Sequence, residues 1–240
     1  MASKKKPKKA AKKPEKHIVL KQQEHKTAQP GKIPAVQKIA DEKAYELLKS
    51  HGIQTAQYSF VKTAKELPAA LKKTGFPAIM KVSGKSIIHK TELGGIMTAN
   101  SEQGAEEALK KLLSIKGCEK VLVQKKLEGI EVIVGAKRDP QFGAVVVFGL
   151  GGIYTEIIKD VVFRICPITL EDAEHMIKSI KGCEILAGAR GKSVNIEALK
   201  DVLVRMCRLA SREGIREMDI NPLFCNERGC WAADVRIVGK

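Results

Sequence analysis

IREMDINPLF at residues 215–224 and CWAADVRIV at 230–238 read as two strands joined by a turn at Asn226, Glu227, Arg228 and Gly229. Asp219 and Asn221 are two apart and so project from the same side of their strand. The turn returns the second strand antiparallel and brings Asp234 opposite them. Three hard oxygen donors on neighbouring strands suit a cation such as Mg²⁺, which takes few protein ligands and shares the rest with substrate phosphates. Asp219, Asn221 and Asp234 are therefore candidate metal ligands. Asn221-Pro222 is also an ordinary turn opener, which would leave the same acids facing water.

Upstream of this hairpin the chain alternates helical and strand periods. PAVQKIADEKAYELLKS (34–50) carries the apolar spacing of an amphipathic helix, and IQTAQYSFV (53–61) reads as a strand. A helix from Thr63 to Thr74 is expected to open on a capping box of Thr63 and Glu66, and another to open at Ser101. KVLVQ (120–124) and GIEVIVGAKR (129–138) flank a short turn, and GAVVVFGLGG (143–152) reads as a buried strand. Thr169 with Asp172 forms a second capping box, and the longest helix runs from Asn195 to Glu213. Several strand pairs read as hairpins, so the sheets should be mixed or antiparallel. The expected fold is α+β, with two lobes around a cleft and a boundary near Val121–Gly129.

A second constellation follows FPAIMKV (76–82). Lys81 is a cation on an otherwise apolar strand, and the next segment, SGKSIIHKTELGG, supplies Ser83, Gly84, Lys85, Ser86, Lys90, Gly94 and Gly95. Glycines admit phosphate oxygens to backbone N–H groups, and lysines neutralise them. Lys81, Ser83 and Gly84 are thus candidate nucleotide contacts, although a mobile surface loop has similar composition. The P-loop pattern is absent.

A third constellation, QKKLEGIE (124–131), brings a family into view. A strand followed by an acid seven residues on resembles the adenine-and-ribose segment of ATP-grasp enzymes. The resemblance implies that Gln124, Lys125, Lys126 and Leu127 form an adenine-binding hinge and that Glu131 holds the ribose. In the same superfamily, Lys81 matches the strand lysine that contacts nucleotide phosphates, and Asn221 and Asp234 match the paired metal positions. KVSGKSIIHKTELGGI, FGLGGIYTEIIKDVVFRICPI and DINPLF further resemble the β subunit of ADP-forming acetyl-CoA synthetases, relatives of the succinyl-CoA synthetase β subunit. The resemblance spans about Ile33 to Val238.

It implies an ATP-grasp fold, with a first lobe over 33–122 and a second over 123–240. It also implies an acid–thiol ligase subunit that uses Mg²⁺ and ATP or ADP. A CoA-binding α subunit carrying a phosphohistidine would be its partner, in an α2β2 heterotetramer. His89, in the glycine loop, is then a candidate to accept or steer the migrating phosphoryl group, since neutral imidazole is a nucleophile near pH 7. The alternative is a histidine that hydrogen-bonds to order the loop. Glu156 and Arg164 are candidate catalytic residues, the arginine fork suiting a phosphoryl group. A surface ion pair with Asp160 or Lys159 is the competing reading.

Composition sets limits on the alternatives. The formal net charge is +16, yet residues 1–32 alone hold eleven Lys against two Glu. That proline-bearing stretch is expected to be a disordered basic arm. Aromatic residues make up only 4% of the chain, too few for stacking single-stranded nucleic acid, so a nucleic-acid-binding protein is the weaker class. A self-contained carboxylate–amine ligase would need an acceptor domain that 240 residues hardly accommodate. No apolar run approaches a membrane span of roughly 18 residues, and no signal peptide is visible. The six cysteines lack zinc spacing and read as free thiols of a cytoplasmic protein.

Overall fold

Burial alternates along the strands, and this alternation separates two sheets. The computed structural model describes residues 37–152, 160–189, 191, 193–212 and 214–239. The basic arm and Glu156 lie outside them.

The larger sheet contains β1 (Gln37–Lys38), β6 (Ile130–Asp139), β7 (Gly143–Leu150), β8 (Val161–Ile165), β9 (Ile215–Asn226), β10 (Gly229–Ala232) and β11 (Val235–Gly239). Its order is β1-β11-β9-β6-β7-β8, with β10 paired to β9, and every described pairing is antiparallel. Val132, Val134 and Ala136 of β6 and Val146 and Phe148 of β7 face one core. That face is covered by α1 (Asp41–Ser50), α4 (Leu170–Ser179) and α6 (Ile196–Ala210), with the short α5 (Cys183–Leu186) beside them. Burying Leu199, Leu203 and Leu209 of α6 fixes its rotation, because truncating one such leucine typically costs about 2–5 kcal/mol.

The smaller sheet, ordered β2-β5-β3-β4, contains β2 (Tyr58–Val61), β3 (Ala78–Ser83), β4 (Ile96–Ala99) and β5 (Lys120–Lys125). Met80, Val82, Val121 and Val123 pack on α2 (Leu67–Thr74) and α3 (Glu102–Leu113) in a separate core. The period of two then sends Lys81, Leu122 and Gln124 to the other face, toward the larger sheet. Leu122 joins the larger core, and Tyr45 of α1 stacks at 4.6 Å from Tyr58 of β2.

Three helix starts follow the sequence. Ser101 accepts from Gly104 N, Asn195 from Ala198 N, and Thr169 with Asp172 completes a capping box. Other readings need correction. The helix expected from Pro34 begins at Asp41, because Gln37 and Lys38 pair with Gly239 and Val238. Thr63 makes no side-chain cap. Glu66 instead accepts from Lys62 N at 2.7 Å across a 3₁₀ turn. KVLVQ and GIEVIVGAKR do not pair with each other but belong to different sheets. β5 stays in the smaller sheet through Lys125, and α1 packs into the larger core. Cys166 and Cys207, expected as thiols, form a disulfide with Cα atoms 5.5 Å apart, tying the chain after β8 to α6. Cys118, Cys183, Cys225 and Cys230 are free. Among the described residues no helix is long and apolar enough to cross a membrane.

Candidate functional site

The hairpin does bring its three oxygen donors together. Asp219, Asn221 and Asp234 line one cavity of about 540 Å³, with His89 and Lys90 from the loop after β3. Local geometry explains the convergence. The β6–β9 register shifts between Val132 and Val134, so β9 gains a residue at Asn221-Pro222. Such a bulge re-aims a side chain beside a ladder that is otherwise regular. Asp234 stands in the break between β10 and β11, where Asn221 N donates to its carbonyl at 3.2 Å.

The residue before Asp234 is fixed from the smaller sheet. Lys81 Nζ donates to the Ala233 carbonyl at 2.7 Å, and the Tyr45 hydroxyl donates to the same oxygen at 2.8 Å. Gln124 Nε2 in turn donates to Tyr45 Oη at 3.3 Å. Lys81 is 5% exposed and lies behind the cavity, not in its lining. Burial lowers its ammonium to about 8, with Asp234 and Asp41 opposing and Lys90 reinforcing the shift.

Each acid of the site already faces a cation. Lys90 Nζ donates to Asp234 Oδ1 at 2.6 Å and lies 3.9 Å from Asp41 Oδ2. Burial pulls this lysine down, but Asp234 and Asp41 outweigh it and hold it above its ordinary value. Lys38 Nζ lies 2.8 Å from Asp41 Oδ1 and also donates to the carbonyls of Gly84 and Ile87. Arg236 donates to Asp219 at 2.8 Å and pairs with Glu217. Burial raises the Asp219 carboxyl; Arg236 opposes this, while Glu217 and Asp234 reinforce it.

These observations fit a divalent cation. Two carboxylates and an amide are the sparse hard-oxygen set that Mg²⁺ accepts beside phosphate. Lys90 and Arg236 stand where positive charge is wanted.

The remaining candidates are dispersed. Ser83 is buried, and Gly84 is packed so closely that a Cβ would lie 2.1 Å from the Gly117 carbonyl. Gln124, Lys125, Lys126 and Leu127 occupy the crossing from the smaller to the larger sheet. There Lys125 N donates to Gln57 O and Lys126 N to Pro77 O. Glu131 is exposed at the start of β6, on the same side as Ile133, which lines the cavity, and beside Gly151 and Gly152. Arg164 is not brought to the cavity. It pairs in register with Val146, which sets it on the helix-covered face, where it donates to Phe163 O. Sequence reading missed Lys38, Asp41 and Arg236. Only Arg236 had a signal, since hairpin register sets it opposite Asp219.

Comparison with known proteins bears on this geometry. An ATP-grasp domain profile matches residues 35–238. The chain is 43% identical over 202 residues to the ADP-forming acetate–CoA ligase II of Archaeoglobus fulgidus, covering 83% of this chain but 30% of that protein. It is 42% identical over 211 residues to the β subunit of the ADP-forming acetate–CoA ligase I of Pyrococcus furiosus, covering 83% of this chain and 91% of that subunit. The acetyl-coenzyme A synthetase 1 of Ca. Korarchaeum cryptofilum, solved with coenzyme A and Ca-AMPCP, superposes with a TM-score of 0.81 at 34% identity, covering 85% of this chain and 94% of that one. A second structure of that enzyme holds Mg-AMPPCP, with a phosphohistidine segment pointing towards the nucleotide site; its TM-score is 0.74 at 33% identity, covering 85% and 93%.

Proposed function

This chain belongs to the ATP-grasp family, among the β subunits of ADP-forming acetate–CoA ligases, and on that premise we propose that it is the nucleotide-binding subunit of such a ligase. It passes a phosphoryl group between ADP and a phosphohistidine on a CoA-binding α subunit, in an α2β2 heterotetramer. The sum is acyl-CoA, ADP and phosphate giving acid, CoA and ATP. The observation that carries the proposal is the single cavity in which Asp219, Asn221 and Asp234 of the hairpin meet His89 of the glycine loop.

In this reading Asp219, Asn221 and Asp234 hold Mg²⁺, which when bound neutralises the nucleotide phosphates. Glu131 takes the ribose, one strand-turn from Ile133 in the cavity wall. The Lys125 and Lys126 amides are already engaged by Gln57 and Pro77. Adenine recognition at the hinge therefore falls to neighbouring groups such as Leu127.

His89 is exposed at the cavity rim, with Nδ1 3.8 Å from Glu92 Oε1, so a visiting segment can reach it. It either receives the phosphoryl group, an N–P bond forming as the partner's breaks, or steers it directly to ADP. Lys81 acts from behind by fixing Ala233, and with it the backbone that presents Asp234. The protein is placed in the cytoplasm with its nucleotide.

Titration calorimetry with Mg²⁺ and ADP tests this. Asp234→Ala and Asn221→Ala should each weaken binding at least about tenfold, from lost interactions with charged groups, and Asp234→Ala should also lower the melting temperature because it leaves buried Lys90 unpaired. Wild-type affinity in both variants would remove the assignment.

A further inference from the structure

The loop after β3 is held at two points by buried lysines. Lys38 reaches the carbonyls of Gly84 and Ile87 at the loop's start. Lys90, a loop residue itself, reaches Asp234. Both lysines lean on Asp41, whose side chain is 1% exposed at the first turn of α1. Lys90 is also fixed through its backbone, since its carbonyl accepts from Gly95 N at 2.8 Å. His89 precedes it in sequence, so an anchored buried side chain sits beside an exposed reactive one.

We infer that Lys90 is a built-in counter-ion, occupying Asp234 until a divalent cation arrives together with nucleotide, and that this exchange positions His89. The inference rests on the proposed role of Asp234. Charge supplies the physical reason. Lys90 stands between two carboxylates, donating to Asp234 and lying 3.9 Å from Asp41, with its own side chain 6% exposed. A bare divalent cation at Asp234 would strand Lys90 without that carboxylate, which is costly for a buried ammonium. A cation carrying phosphate brings negative charge with it, and Lys90 can turn from Asp234 to a phosphate oxygen. The metal is thereby accepted only with its nucleotide. The residue that enforces this is bonded to His89, so occupancy is transmitted to the phosphoryl-handling side chain. Lys90 is a positioning residue in this account.

The test is a titration of Mn²⁺, followed by the paramagnetic resonance of the free ion, on the whole chain with and without ADP. Without ADP, Lys90→Met should bind Mn²⁺ about tenfold more tightly than wild type, because no charged hydrogen bond must be surrendered. With ADP the order should invert, the variant binding more weakly for want of its phosphate contact. Lys90→Arg, which keeps the charge, should stay near wild type in both arms. A Lys90→Met chain that gains nothing for bare Mn²⁺ overturns the inference. If Asp234→Ala still loses Mn²⁺ with ADP in that case, the metal assignment survives. Wild-type binding by Asp234→Ala would instead remove the assignment itself. Should Lys90→Met fail to fold, the wild-type Lys90 ammonium resonance, identified by its loss in Lys90→Arg, decides. It should shift on adding Mg²⁺ with ADP and not with Mg²⁺ alone, and an unmoved signal overturns the proposal.

Discussion

Lys81 is the residue at which burial and charge conflict most openly. Its ammonium falls to about 8 from 10.5, chiefly through desolvation, with Asp234 and Asp41 opposing and Lys90 assisting. A lysine depressed in the fold binds its proton less well than in the unfolded chain. Below pH 8 the penalty of burying the charge is present in full. Between about 8 and 10.5 the folded form is neutral while the unfolded one is still charged, so stability from this group rises with pH. Urea unfolding of the nucleotide-free chain across that window should show the rise in wild type. It should be missing in Lys81→Met, a difference on the order of 3 kcal/mol; parallel curves would refute the assignment. Lys81 stood out because a cation interrupts an apolar strand, but its ammonium meets the Ala233 carbonyl and lies outside the cavity lining, whereas the hairpin donors meet there because period-two spacing fixes their side. Lys38 and Asp41 were not legible in sequence, since their roles depend on β1 finding β11 some 200 residues away. The side of the sheet on which Arg164 stands follows from the β7–β8 register, which no local pattern states.

Among the elements, the loop after β3 is closely packed at its glycines. A Cβ at Gly84 would lie 2.1 Å from the Gly117 carbonyl, a backbone atom that cannot rotate away. At Gly95 it would lie 2.3 Å from Val82 Cγ2 and 2.8 Å from the Lys90 carbonyl. Gly95→Ala should lower stability by about 1–3 kcal/mol by overpacking, and should weaken Mg²⁺·ADP as it disturbs Lys90. A variant with normal melting and normal calorimetry would show that the loop is not tightly packed. The disulfide gives a second expectation. Cys166 and Cys207 are 41 residues apart, and closing a loop of that length contributes about 2–4 kcal/mol, so Cys207→Ser or reduction should lower the melting temperature by several degrees. Equal melting curves with and without reductant would contradict it. Helix starts with a true cap were readable, as at Thr169, Ser101 and Asn195. The start at Pro34 was not, because strand pairing at the chain's far end overrides a helical period. Nor was the disulfide, because it joins residues whose spacing carries no signal.

At the scale of the molecule, the proposed function gives the nucleotide to this chain and CoA to its partner. Purified alone it should bind Mg²⁺·ADP and form no acyl-CoA from acid, CoA and ATP. Adding the CoA-binding subunit should restore turnover, and turnover by the isolated chain would overturn the division of labour. Deleting residues 1–32 should leave that reconstituted rate nearly unchanged, as their composition offers little to pack. The route of the backbone has a mechanical consequence. The smaller sheet is entered at Gln57 and left at Lys125, and these two crossings are bonded to each other, with Lys125 N donating to Gln57 O at 2.8 Å. The lobe's backbone is therefore hung at one jamb, while side chains latch it elsewhere, Lys81 on Ala233, Lys38 on Gly84 and Ile87, and Lys90 on Asp234. Its latched edge lies beyond Ser83, which at about 3.4 Å per residue is roughly 17 Å from the level of Lys125. Amide exchange should accordingly be slow at Lys125, and at Ile87, Gly94 and Gly95, whose amides are bonded within the loop, it should quicken when Lys90→Met cuts the latch. A swing of about 10° would carry the edge that bears His89 about 3 Å over that radius, while the adenine end near the jamb hardly stirs.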